Sequence, residues 1–334
     1  MYKIAFLTIA ALALLLAAGC GDDSTGGGGN PTPETQVDSV NVDYTGENNA
    51  VFYCLTTKAK TTIHHDVWDL AVDGNLNLVS NSGDYGTGVR VIGTGMTDFD
   101  ADYSSYADSS FDNPENICLE GMSDPFEGWM VYDPSSHEVS FSNEVFVFRT
   151  EDEKFWKVQF TGCTMMTGVS VTAKIDALNG TGAEEVTFSK DEAYDRAYID
   201  LGTQQTVDFA PPANAWDLKF GRCDQVLDIG GGQYMLHGAS CISLNVADAV
   251  KAYVLEETNF DDVTTVDNSM FSGAINTIGH SWYTFEEMQF FVDNDVSVIQ
   301  TSESVYKLQM QTFYGGPNGD HQFVSIFEFL EMAE

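Results

Sequence analysis

Cys20 carries the plainest chemistry in this chain. It closes "LLLAAGC", where an apolar run from Ile4 through Ala18 ends in small residues directly before a thiol. A peptidase cutting there needs slim side chains beside the scissile bond, and the thiol can receive a diacylglyceryl group. Lys3 is the one cation of the n-region, and the run is shorter than the roughly 20 residues of a comfortable membrane span. The expected organisation is a lipoprotein signal peptide over 1–19, a lipid on Cys20, and attachment to a membrane through it. Several acyl chains at about 0.8 kcal/mol per buried CH2 make such anchoring effectively permanent. The expected location is the outer membrane or cell surface, and Asp22 and Asp23 resemble acidic signals that route some lipoproteins there.

Five further cysteines could do chemistry: Cys54, Cys118, Cys163, Cys223 and Cys241. An exported compartment permits disulfides. Cys223 follows the Trp216 strand and Cys241 opens the next strand after the Gly-rich "DIGGGQ" turn, so these two are expected to meet across neighbouring strands. Of the other three, at least one stays free unless it bonds another chain. Asp98, Asp100 and Asp102 alternate as in a calcium loop, but Tyr103 stands where an EF-hand needs glycine and no Glu occupies the twelfth position. A solvated acidic loop is the expectation, with weak calcium binding as the alternative. His64, His65, His137, His237, His280 and His321 fit no catalytic spacing, and the chain lacks G-x-S-x-G, H-E-x-x-H, Walker and C-x-x-C motifs. A non-enzymatic protein is expected.

Charge narrows the partners. The formal net charge is −37 over 334 residues, and loss of Lys3 with the signal peptide makes it more negative still. A polyanion of that size is excluded as a nucleic-acid binder, because phosphate contacts need cations. Residues 20–36 hold four consecutive glycines, prolines and acids, with no large apolar side chain before Val37. They read as a flexible tether. The chain as a whole has ample core material, with 22 Phe, 14 Tyr and 5 Trp.

The elements that must position these groups read as strands. "EVFVFRT", "KFWKVQF", "VSVTAKI", "VSVIQT", "YKLQMQTF" and "QFVSIFEF" are short, partly alternating and rich in β-branched or aromatic residues, with Gly, Asn, Asp and Ser between them. "SKDEAYDRAYI" and "NVADAVKAYVL" are the only helix-like stretches. The fold class is all-β. Blocks also recur: "HHDVWDLAV" matches "PANAWDLKF", "EGWMVY" matches "GHSWYTF", and "EVFVFRTEDEKFWKVQFT" matches "DVSVIQTSESVYKLQMQT". Three blocks in one order at an offset of about 150 residues indicate two tandem antiparallel β domains of the same fold, 37–178 and 179–334. In each copy Trp68 or Trp216 can supply core, while Asp69 and Asp217 are expected to accept backbone hydrogen bonds near a turn.

These blocks resemble the HmuY family of haem-binding lipoproteins. The likeness rests on "WDLAV" and "WDLKF", a glycine-rich stretch, a "GW" before an aromatic strand, and the closing hairpin "VFVFRTEDEKFWKVQFT", and it covers both copies. It implies haem held in a cleft by two axial side chains, His or Met, whose nitrogen or sulfur coordinates iron. One ligand would follow the "GW" tryptophan, which offers His137 in the first copy and Met288 in the second. The other would precede it, which offers Met122 in the first copy and Met270 or His280 in the second. The resemblance further implies iron acquisition and transfer of haem to an outer-membrane receptor. The competing expectation is a structural or adhesive surface lipoprotein that keeps the β scaffold without haem.

If Cys20 carries the lipid, Cys20→Ser abolishes palmitate labelling and moves the exported chain from the membrane to the soluble fraction. Unchanged labelling in that variant contradicts the assignment.

Overall fold

The computed structural model describes residues 37–332 except 46–48, 65–66, 109–110, 166–167, 229–231, 287–288 and 316–320. The signal peptide, Cys20 and the tether lie outside the described residues. Alternating and fully apolar stretches become strands, and no α-helix occurs among the described residues. The chain opens with β1 (Asp38–Asp43), β2 (Asn49–Tyr53) and β3 (Lys60–His64). A longer stretch follows: β4 (Leu70–Asp73), β5 (Leu78–Ser80), β6 (Arg90–Gly93), β7 (Met130–Asp133), β8 (Glu138–Phe141), β9 (Val145–Arg149), β10 (Phe155–Thr164) and β11 (Ser170–Ala177). A second short group comprises β12 (Glu184–Ser189), β13 (Arg196–Asp200) and β14 (Gln205–Val207). The chain ends with β15 (Leu218–Asp228), β16 (Gln233–Leu244), β17 (Lys251–Leu255), β18 (Tyr283–Glu286), β19 (Gln289–Val292), β20 (Val296–Gln300), β21 (Val305–Gly315) and β22 (His321–Glu331).

These strands build two sandwiches of matching layout. Sheets ordered β12-β11-β10-β9-β6 and β14-β13-β4-β5 enclose one core, and sheets ordered β1-β22-β21-β20-β17 and β16-β15-β2-β3 enclose the other. Separate hairpins β7-β8 and β18-β19 follow Trp129 and Trp282. β10 breaks register once, between Phe160 and Gly162, and β21 twice, between Met310 and Thr312 and between Thr312 and Tyr314.

The sequence division at residue 178 falls in the β11–β12 hairpin, and strand pairing crosses it in both directions. β13, from the start of the second copy, pairs with β4 of the first, while β2, from the start of the first, pairs with β15 of the second. β1 likewise closes on β22. Each copy therefore lends its opening strands to the other. The reason is visible in β2, which is buried on both faces. Ala50 and Phe52 enter the first core, and Val51 and Tyr53 enter the second. A continuous apolar run of this kind needs cover on both sides.

The aspartate after each tryptophan holds the exchanged strand. Asp69 donates its N–H to Ile199 O at 2.8 Å and accepts the Leu201 N–H on Oδ2 at 2.9 Å. Asp217 donates to Tyr53 O at 2.8 Å and accepts the Leu55 N–H at 2.7 Å. Behind them Asn81 and Asn245 each donate a side-chain N–H to the preceding tryptophan carbonyl. Aromatic rings run across the seam. Trp68 packs on Tyr198 and Phe209, and Phe52 meets both Phe209 and Trp216, with ring centroids 4.9–5.6 Å apart.

Both helix-like stretches are turn followed by strand. After Ser189 the chain turns through Tyr194 N–H to Asp191 O and enters β13, where Tyr198 packs against Trp68. At 245–255 the Asn245 side chain accepts the Asp248 N–H to close a single 3-10 turn. Ala249 then takes the left-handed region at φ 57° and delivers β17. Sheet pairing outweighs local helix preference in both stretches.

A protease site inserted between residues 178 and 183 tests the exchange. After cleavage the two pieces are expected to co-elute and unfold together, because each completes the other's sheet. Two separately folded fragments would contradict it. A second expectation concerns Asp69, whose pKa burial pushes up to about 7, against the lowering effect of the Leu201 N–H. A raised carboxylate pKa favours the fold while protonated, so this contribution is full below about pH 4 and is lost as pH rises through 7. Asp69→Asn keeps an acceptor for Leu201 and removes the buried charge. Denaturant melts at pH 5 and pH 8 should show the variant losing less stability than wild type, by on the order of 2 kcal/mol.

Candidate functional site

The first copy presents its candidate ligands on loops flanking a fixed tryptophan. Trp129 is buried against Phe141 and Phe160, at 6.0 and 5.2 Å between centroids, and this anchors the β7-β8 hairpin. His137 lies in the hairpin turn at φ 60°, its N–H bonded to Asp133 O. Its Nδ1 is 2.7 Å from the Tyr132 hydroxyl, which fixes the ring and leaves Nε2 as the exposed nitrogen. Met122 lies in the turn closed by the Leu119–Ser123 bridge and is 63% exposed. It lines a cleft of about 620 Å3 together with Leu78, Val79, Leu119 and Ile275, with Arg196 also in the wall. That volume is in the range of small-molecule sites, about 300–1,000 Å3. Asp73, Glu120, Asp124 and Glu127 also line the cleft, and His137 is not among its lining residues.

The second copy arranges its candidates differently. Trp282 is buried against Tyr283 and Phe313. Met288 lies outside the described residues, and Met270 is 45% exposed in a turn closed on Asp267 O. His280 is turned inward. Its Nδ1 donates to Ser240 O at 2.7 Å, which leaves Nε2 as the lone-pair nitrogen, 3.9 Å from Cys223 Sγ. Burial pushes its pKa below the usual imidazole value, against the opposing effect of the Ser240 carbonyl. Cys223 and Cys241 form a disulfide across β15 and β16, with Cα atoms 6.1 Å apart, and Cys54, Cys118 and Cys163 are free.

The acidic stretch at 98–102 uses its carboxylates locally. Asp98 accepts the Asp100 N–H, and Asp102 accepts the Ser104 N–H, so that the bonds from Ser104 hold the Asp102 pKa below the usual carboxylate value. No cluster of metal-ligating side chains occurs among the described residues.

One polar cluster escaped the sequence reading. Arg90 on β6 is buried and pairs with Asp224 on β15, whose side chain is fully buried, at 3.1 Å. Asp224 also accepts the Gly83 N–H and lies 3.0 Å from His237 Nδ1. Arg90 Nη2 lies 2.5 Å from the same nitrogen. A guanidinium can only donate, so Nδ1 accepts and the proton of a neutral ring sits on Nε2. In the sequence these residues stand far apart, at 90, 224 and 237, and nothing local links them.

No protein-family model and no curated protein matches the chain. Solved structures similar to it include a Bacteroides vulgatus protein described as HmuY-like and heme-binding, at 19% identity and TM-score 0.19, over 41% of this chain and 88% of that one. A Bacteroides fragilis protein described as a lipoprotein aligns at 16% identity and TM-score 0.20, over 39% and 82%. The apo HmuY analog of Tannerella forsythia aligns at 10% identity and TM-score 0.26, over 91% and 100%. With identities and scores this low, the functional reading falls to the chain's own residues.

Proposed function

We propose that this chain is a lipid-anchored surface protein that binds haem through its first copy, where His137 and Met122 would hold the haem, and passes the haem to an outer-membrane receptor. The observation that carries the reading is the His137 imidazole, held through Nδ1 by Tyr132 with Nε2 exposed at a hairpin tip. A metal-ligating histidine commonly has its second nitrogen fixed by such a partner. Bound haem would supply an iron that imidazole nitrogen and thioether sulfur are both suited to ligate. His280 does not fit this role, because both its ring nitrogens face the interior.

A second reading rests on the same contrast. Acids in the wall of the Met122 cleft and the inward His280 favour a module that keeps the scaffold and serves adhesion or structure without haem.

Haemin titration of the exported chain separates the two. The first reading expects a saturable shifted Soret band at one equivalent, weakened at least about tenfold by His137→Ala and by Met122→Ala, since one lost coordinate bond is worth more than 1.4 kcal/mol. A spectrum identical to free haemin supports the second reading.

A further inference from the structure

Arginine is scarce in this chain, which has four, at 90, 149, 196 and 222. Three of them, Arg90, Arg149 and Arg222, line one cleft of about 430 Å3 at the junction of the sandwiches, joined there by His237. They come from β6, β9 and β15, so the convergence is a product of the fold. In a chain of net charge −37, gathering most of the guanidinium groups at one concave site is costly unless something there uses them.

Asp224 satisfies only part of this cluster. It takes Arg90 Nη1 and Nη2, at 3.1 and 3.3 Å. Arg90 Nε, on a side chain 2% exposed, makes no hydrogen bond. The nearest carboxylate oxygen is Asp112 Oδ1, 3.9 Å away and beyond hydrogen-bond reach. The same oxygen lies 2.7 Å from Arg149 Nη2 and 4.0 Å from His237 Nε2. One carboxylate oxygen thus faces a buried guanidinium, a second guanidinium and an imidazole, closely bonded to only one of them. Asp112 is 54% exposed, so it can leave without emptying a core. Arg222 completes the wall, its guanidinium 3.9 Å above the Phe323 ring.

We infer that this cleft binds a small oxyanion, a carboxylate or phosphate group, at the place the Asp112 carboxylate partly fills. Guanidinium forks match both groups with paired N–H donors, which a single tethered carboxylate cannot do for three partners at once. Glu151 and Glu153 on the wall oppose a highly charged ligand and favour one of low charge. Asp112 then acts as a resident competitor that the ligand displaces. The site contains none of the haem-ligand candidates and stands or falls independently of haem binding.

The experiment is isothermal titration of the full exported chain at low ionic strength with succinate and, separately, inorganic phosphate. The two arms tell a carboxylate site from a phosphate site. Saturable one-to-one binding of either probe is expected. Asp112→Asn should tighten it about tenfold by removing the competitor, and Arg149→Gln, at a side chain 26% exposed, should weaken it about tenfold. Near-ultraviolet circular dichroism confirms that both variants fold. Absence of binding to both wild type and Asp112→Asn overturns the inference, as does Arg149→Gln binding as tightly as wild type. Asp112→Asn alone still decides the matter if Arg149→Gln misfolds.

Discussion

A carboxylate directly after a buried tryptophan receives the backbone of a strand that comes from the other sequence copy. Asp69 with Leu201 and Asp217 with Leu55 are the same contact made twice, in opposite directions along the chain. Asp217 is buried and Asp69 partly so, and burial raises the pKa of both acids. The cost of placing a carboxyl there is offset by the strand N–H it satisfies, which would otherwise be an unpaired donor at the sandwich edge. The rest of the architecture follows from this contact, because it determines which strand lies beside the Trp-Asp-Leu strand and so which residues the two cores share.

The exchange makes the junction part of the core. β2 serves both cores at once, and Phe52 joins the aromatic seam on which Trp216 and Phe209 pack. Polar ties run along the same junction. Lys219 donates to Tyr85 O, Glu120 accepts the Ile275 N–H, and Asp84 accepts from the Asn276 side chain. Burial lowers the Lys219 pKa to about 8. Buried polar groups of this kind add little net stability but penalise any arrangement that leaves them unpaired, and so favour one relative placement of the sandwiches. Both clefts described above open beside this junction, where loops of one copy meet strands of the other.

Much of the fold was legible. Alternation and β-branched content identify the strands, and 189–199 and 245–255 look helix-like only because short charged stretches with alanine satisfy local helix preference. The Trp-Asp-Leu pairs were legible as core plus hydrogen-bond acceptor, although their donors lie in strands distant in sequence. The candidate site was less legible. His137 and Met122 occupy exposed turns, while His280 is committed to Ser240 and the disulfide face. Arg90, Asp224 and His237 carry no signal at all, since a polar residue in a strand looks the same whether it faces solvent or a buried partner.

The sequence by itself determined the all-β class, the recurrence of its blocks and the strands that hold them, because side-chain alternation and turn chemistry act over a few residues. Only the tertiary structure decided that β2 completes β15 and β13 completes β4, and that three arginines meet at one cleft. The physical reason is that closing a longer loop costs little more than closing a shorter one. Partner choice then depends on which pairing buries both faces of a strand and satisfies its last N–H, and that is a property of assembled surfaces.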